Sequence, residues 1–480
     1  MLPFLRKKAI PNNLPPLRLR NTLSGELEVF EPVGKTVKMY NCGPTVYDYV
    51  HIGNLRSYVF ADTIRRALDA WGYKVEQVIN ITDFGHLVSD ADEGEDKMTK
   101  GLKREGLAVT MDNMKKLAEH YTDAFFADIV DMGLDTQRIK FPRASAYISE
   151  QIALIKTLEQ KGYAYRTHDG VYFDTSRFPN YGKLGHIDLS GQQATGRVEE
   201  HTEKRSPHDF VLWKSDKKMG WDSPWGKGFP GWHIECTAMI FTLLGKQIDI
   251  HTGGIDHIPV HHNNEIAQAE AATGKQFVRY WMHNEFITIE SKRIGKSVGN
   301  AIVLNSLIDR DINPRALRYW YLTAHYRSPI NFTWEAVEGA NAALGRLKRL
   351  YLELPSSRLP ADASFLQDFY AAIAEDLNTP RALARVWDMV RDESLTPAVK
   401  KSSLVVADKL LGLGLGETGP RAKLPIKTED LPEGIQELIA ARESARANKD
   451  FEKADELRRE IESGGFELKD TPEGPKVTKK

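Results

Sequence analysis

Four side chains spread along this sequence, Cys42, Cys236, His261 and Glu265, could hold one metal ion. His261 and Glu265 stand four apart in an alanine-rich stretch that reads as a helix, so both can face one point, as paired ligands do on zinc-protease helices. Cys42 closes a short apolar alternation, at the place where the loops of an α/β sheet build sites. Thiolate, imidazole and carboxylate are all zinc ligands. His262 could compete, but its partner one turn on is Ile266, which cannot coordinate, so the spacing favours His261. The same residues also fit a plainer account: two buried thiols, a satisfied histidine and a solvated glutamate.

Two further groupings suit phosphate chemistry. His51-Ile52-Gly53-Asn54 stands where a strand should turn into a helix, so backbone N–H groups and the helix dipole can face a phosphate. Gly53 would let a ligand approach the backbone closely. Ser291 to Asn300 carries Lys292, Arg293, Lys296 and Ser297 with Gly295 and Gly299, the basic groups and pliant glycines of a closing clamp on a triphosphate. A surface histidine with a helix cap, and a solvated basic loop, would explain the same residues.

Bulk properties narrow the class. At 480 residues the chain has room for roughly three or four domains. It holds 41% hydrophobic and 27% charged residues and no long apolar run, which predicts a soluble protein. Met1 to Lys8 is basic but is followed by no apolar signal core, so a cytoplasmic location is expected. A formal net charge of -1 means that any nucleic acid must be held by local basic surface. Two cysteines cannot build a disulfide framework.

The elements that must carry these residues follow from periodicity. Lys35 to Cys42 reads as a strand with Val37 and Met39 on one face, broken by Gly43-Pro44. Leu55, Val59, Ile64, Leu68 and Trp71 recur near helical spacing up to Gly72, and Val75 to Thr82 reads as a buried strand. Strand, loop, helix, strand is half of a doubly wound nucleotide-binding fold. From Asp83 to Gly231 the pattern turns heterogeneous, with an acidic run from Asp90 to Asp96, read as a solvated face, and a helix from Met111 to Gly133. This reads as an insertion. Gln247 to His251 resumes as a strand, Gly253-Gly254 as a turn, and His261 to Ala272 as a helix closed by Gly274. Phe277 to Ile289 supplies strands leading into the lysine loop. Beyond Asn313-Pro314 the pattern is helical, Thr379-Pro380 repeats the proline start, and Leu413 to Gly434 reads as a linker before a last helix around Phe451 to Ile461.

Taken together, these segments resemble the cysteinyl-tRNA synthetases, a class I aminoacyl-tRNA synthetase family. The resemblance rests on Tyr40 to Asp48, His51 to Asn54, Asn80 to Asp83, Gly231 to Cys236, Gly253 to Asp256, His261 to Glu265 and Lys296 to Asn300, with Asp376 to Pro380 and Asp450 to Asp455 further on. It implies one zinc ion on Cys42, Cys236, His261 and Glu265, which the thiol of substrate cysteine approaches. It implies that His51, Gly53, Asn54, Lys296 and Ser297 handle the ATP phosphates, that Asp256 reaches the ribose, and that Thr82 and Trp232 line the amino-acid pocket. His51, Asn54 and Lys296 would be the catalytic residues. ATP with Mg2+, L-cysteine and tRNA would be the partners of a monomer.

The fold implied is a doubly wound parallel-sheet α/β domain with an insertion, followed by a mostly α-helical C-terminal region. Its expected divisions are 1–95 for the first half of the catalytic fold, 96–230 for the insertion, and 231–300 for the second half with the lysine loop. Then follow 301–360 as a helical junction facing the tRNA stem, 361–415 as a helical tRNA- or anticodon-binding domain, and 416–480 as linker and C-terminal helical subdomain. Two departures stand out: Asn54 where the family has histidine, and Arg293, Ile294 and Gly295 where it has lysine, methionine and serine. The rival readings are a related cysteine ligase with an amino-sugar acceptor in the mycothiol pathway, and a non-catalytic tRNA-binding zinc paralogue. Helices after about residue 340 favour a tRNA acceptor.

Overall fold

The computed structural model describes residues 14–85, 97–187, 203–293, 301–417, 431–448, 450–471 and 474–479. It divides into two compact units, 1–416 and 417–480. The centre of the first is a five-stranded sheet, all of whose pairings are parallel. Its strands in chain order are β1 (Thr36–Asn41), β2 (Lys74–Ile79), β3 (Ile139–Lys140), β4 (Ile248–Gly254) and β5 (Val278–Asn284), and in space they run β5-β4-β1-β2-β3. The switch of direction lies between β1 and β4, where a doubly wound sheet opens its crevice beyond the strand ends.

Alternation along each strand feeds a core on each face. Val37 and Met39 of β1 enter one cluster with helix α1 (Ile52–Ala70), while Tyr40 enters the other with α2 (Trp232–Leu243) and α3 (Asn263–Thr273). Parallel strands need such crossover helices, and covering both faces hides the ladder from water. Gly274 ends α3 at φ +70, a left-handed cap that glycine adopts without a Cβ clash.

Three local expectations change in detail. Gly253-Gly254 is not a turn but the end of β4, paired with His283 and Asn284 of β5. Hydrogen bonds to a neighbouring strand override the turn preference of a glycine pair. The helix expected over His261 to Ala272 begins instead as a π-helical turn, Ile258–His262, and becomes α-helical at Asn263. Leu413 and Leu415, expected in a linker, are buried in the core of the first unit.

Within 96–230, β3 joins the central sheet and a separate antiparallel sheet forms from Ala164–Thr167, Gly170–Phe173, Phe210–Ser215 and Gly228–Pro230. Gly231 then caps α2. Beyond the sheet the chain is helical from Leu304 to Leu411, apart from the strand Ile330–Phe332. The second unit pairs helices Glu433–Ala447 and Phe451–Ser463 with a hairpin of Phe466–Thr471 and Gly474–Lys479, around Ile435, Ile439, Ile461, Leu468 and Val477. No helix among the described residues is long and apolar enough to cross a membrane.

Candidate metal and nucleotide site

Cys42, Cys236, His261 and Glu265 converge, with their donor atoms all within 4.8 Å of one another. Each arrives by a different route. Cys42 follows the last residue of β1, and its N–H donates to Thr252 of β4. Cys236 lies on α2, one turn past Trp232. His261 comes from the π turn and Glu265 from the first turn of α3, and His261 Nε2 stands 3.0 Å from Glu265 Oε1. A π turn is wider than an α turn, and single π turns often occur at functional sites. Here it accompanies two successive histidines, His261 and His262, that are both buried.

The second histidine alters the spacing argument. His262 Nε2 lies 3.3 Å from Cys42 Sγ, and Cys42, His251, His262 and Glu265 form a second group with donor atoms inside 4.8 Å. The two groups share Cys42 and Glu265. The first group offers two sulfurs, one imidazole and a carboxylate, the second one sulfur, two imidazoles and a carboxylate, and both are donor sets that zinc accepts.

The charges in the pocket follow from burial and from the close packing of these groups. Burial, and then the hydrogen bond to Cys236, pushes the Cys42 thiol well above its ordinary range. That hydrogen bond from Cys42 leads the causes that lower Cys236, so Cys236 is the readier thiolate. Burial would raise the Glu265 carboxyl, but His251 and His261 pull it down to about 2. Burial opposes charge on His261, yet Cys236 and Glu265 push it up to about 10. Burial and the surrounding histidines hold His262 well below its usual value, as neutral imidazole. The pocket thus holds a carboxylate, a thiol whose ionisation is eased and a His261 ring whose proton a dication would displace, a donor set that fits a zinc-type ion.

Histidines outside the predicted set, His233, His251 and His283, together with His262, pack around these groups. His251 Nε2 meets Glu265 Oε2 at 2.9 Å, His233 Nδ1 lies 2.9 Å from His261 Nδ1, and His262 Nδ1 lies 2.7 Å from His283 Nε2. Their strand and helix positions gave only apolar-face signals, so nothing short of tertiary contact marks them. Thr82, buried, donates its hydroxyl to Glu235 at 2.9 Å. The Trp232 ring centroid lies 4.6 Å from that of His261, and Lys97 Nζ lies over the Trp232 ring at 4.5 Å from its centroid. Thr82 lies just beyond β2 and Trp232 begins α2, beside His261.

At the head of α1, His51 and Asn54 form a reciprocal cap. The Asn54 N–H donates to His51 Nδ1, and the His51 N–H donates to Asn54 Oδ1, both at 3.2 Å. Because an N–H can only donate, His51 Nδ1 is an acceptor and a neutral ring carries its proton on Nε2. Gly53 lies between them in the first turn, and Asp256 is exposed in the short turn after β4. Lys296 and Ser297 lie outside the described residues, as does the acidic stretch from Asp90 to Asp96.

Comparison with known proteins was decisive. Residues 29–342 match the family model described as tRNA synthetases class I (C) catalytic domain, and 428–474 match the cysteinyl-tRNA ligase anticodon binding domain. The chain is 49% identical over 469 residues to the cysteine–tRNA ligase 1 of Burkholderia lata, covering 96% of this chain and 97% of that one. The chain belongs to the cysteinyl-tRNA synthetases. It is 40% identical over 487 residues to the cysteine–tRNA ligase of Treponema denticola, covering 95% and 98%.

Among solved structures, the fold of this cysteinyl-tRNA synthetase resembles two of other specificities. One is the Mycobacterium tuberculosis methionyl-tRNA synthetase bound by methionyl-adenylate, at TM-score 0.54 and 14% identity over 79% of this chain and 90% of that one. The other is the LeuRS–tRNA–LeuAMS ternary complex from Agrobacterium radiobacter K84, at TM-score 0.60 and 11% identity over 81% and 85%. The anticodon-binding match falls on 428–474, downstream of the 361–415 segment to which the sequence pattern assigned that role.

Proposed function

We propose that this class I aminoacyl-tRNA synthetase, a cysteine–tRNA ligase, selects its amino acid through zinc held by Cys42, Cys236, His261 and Glu265. The observation that carries the reading is the convergence of those four donors in a buried pocket beside Trp232. When bound, zinc favours a thiolate sulfur strongly over a serine hydroxyl. That preference exceeds the roughly 1–3 kcal/mol that an apolar pocket extracts from one methylene. His251 and His233 hold Glu265 and His261 in place for it, and Thr82, hydrogen-bonded to Glu235, lines the amino-acid pocket with Trp232.

The cysteine carboxylate attacks the α-phosphorus of ATP, pyrophosphate leaves, and the acyl group passes from the adenylate to the 3′-terminal ribose of tRNA. Both steps depend on positioning and charge stabilisation. His51, Gly53 and Asn54 bind a phosphate at the start of α1, where the helix dipole favours negative charge and the cap holds His51 Nδ1 and Asn54 Oδ1 in place. Lys296 neutralises charge on the triphosphate together with Mg2+, Ser297 binds the ATP, and Asp256 binds the ribose. The segment 428–474 reads the anticodon, with 301–360 facing the acceptor stem. The enzyme works in the cytoplasm as a monomer.

One experiment tests the core of this reading: zinc content measured alongside cysteine-dependent ATP–pyrophosphate exchange and tRNA charging. Cys236→Ala is expected to lose zinc and cysteine activation together. Exchange that still prefers cysteine to serine in that variant would refute the zinc argument, and exchange without charging would favour the amino-sugar acceptor.

A further inference from the structure

Arg56 follows His51 and Asn54 in the first turns of α1 and is 2% exposed. A guanidinium taken out of water must have its donors satisfied. Its two terminal nitrogens reach five main-chain carbonyls. Nη1 donates to Glu285 at 2.8 Å and Phe286 at 2.9 Å, and Nη2 donates to His325 at 3.2 Å, Tyr326 at 3.3 Å and Ser328 at 2.7 Å.

Those carbonyls sit on two turns that feed two strands, Ile287–Ile289 and Ile330–Phe332, which pair with each other. Ile287–Ile289 pairs in turn with Lys292–Arg293, the last described residues before the lysine signature in sequence. The 325–328 turn is fixed from its far side as well. Tyr326 Oη donates to Asp376 Oδ1 at 2.6 Å and Arg327 Nε to Asp376 Oδ2 at 2.7 Å. The start of α1 has two more ties to this region: the Ile52 N–H donates to Ile302 at 2.9 Å, and Tyr321 Oη donates to the Ile52 carbonyl at 2.6 Å.

We propose that Arg56 is a positioning residue for the ATP half of the reaction, holding the small sheet of 287–293 and 330–332 in fixed register with the helix start that carries His51 and Asn54. Only a planar fork spans two turns at once; a lysine carries its three donors on one nitrogen. Cys42, Cys236, His261 and Glu265 belong to other elements and share none of the five carbonyls, so loss of Arg56 separates the ATP side from the cysteine side. The inference rests on the function proposed above.

The test uses R56Q and R56K in the full chain, with pyrophosphate exchange measured at varied ATP and at varied cysteine, beside zinc content and thermal melting. A displacement of about 1 Å at a reacting centre costs about 100-fold, so kcat/KM for ATP in R56Q is expected to fall on that order. KM for cysteine is expected to stay within about twofold, zinc to be retained, and R56K to recover part of the loss. Unchanged ATP parameters overturn the proposal. So does an equal fall on both sides with zinc lost from both variants, which would make Arg56 a folding residue only. No exchange in the unaltered chain overturns instead the reading on which the inference rests.

Discussion

His251 Nε2 lies 2.9 Å from Glu265 Oε2, with both side chains fully buried, while the other carboxylate oxygen of Glu265 turns to His261 at 3.0 Å. One oxygen is thereby tied down and the other aimed into the donor group. A partner of this kind fixes a ligand's orientation, and its loss typically costs about 10- to 100-fold in metal affinity. His251→Ala is expected to weaken zinc binding by that factor in chelator competition while the fold survives. Unchanged affinity would assign Glu265's orientation to the helix alone.

Gly43 tests how closely the segments that follow β1 and β2 approach each other. Its N–H donates to Asn80 Oδ1 at 2.7 Å, and a Cβ here would stand 1.6 Å from the Asn80 carbonyl oxygen. Backbone cannot yield as a side chain would, so Gly43→Ala must push β1 from β2 and displace the adjoining Cys42. A loss of about 1–3 kcal/mol or more is expected in urea unfolding, with reduced zinc retention.

Asp62 gives the pH-dependent case. It meets Arg318 at 2.7 Å, Arg65 at 2.8 Å and Arg66 at 2.6 Å, entirely out of water. Burial would raise its carboxyl, but the three guanidiniums override this and hold it well below the usual carboxylate range. A depressed folded value means stability that is complete at neutral pH, begins to fade below the unfolded value of about 4, and is lost as pH falls through the folded value. Asp62→Asn should therefore cost about 3–5 kcal/mol at pH 7 by leaving buried guanidiniums uncompensated. Its deficit against the unaltered chain should shrink in unfolding experiments below pH 4. A deficit that stays constant with pH would refute the charge argument.

At the head of α1, Asn54→Asp separates capping from catalysis. Aspartate keeps the acceptor for the His51 N–H and adds a negative charge that the helix N-terminus favours, so thermal stability should hold or rise. The same charge repels the ATP phosphates, and exchange activity should fall. Asn54→Ala should lose about 1 kcal/mol of stability through the cap. Unchanged exchange in Asn54→Asp would place Asn54 in the cap alone.

Much of this protein was legible in the order of its residues. Strand and helix periods around Val37, Met39 and Leu55 to Leu68 announce a doubly wound half, because apolar alternation must follow the backbone's repeat. Cys42, Cys236, His261 and Glu265 stood out because few other roles gather those residue types at those places. Local pattern was less informative where neighbours outvote it. Gly253-Gly254 has the composition of a turn and is strand, since β5 supplies partners that no local signal reveals.

The sequence by itself determined the family, the fold class and the candidate donors, since each depends on residue type and short-range spacing. Only the tertiary structure decided that His262 is brought beside Cys42 as well as His261 beside Glu265, because a π turn shifts the phase of side chains and leaves no mark in composition. It also decided which histidines stand behind the donors and which carbonyls Arg56 holds. Those contacts join residues far apart in the chain, and distance in sequence carries no information about which buried polar groups must find each other to be satisfied.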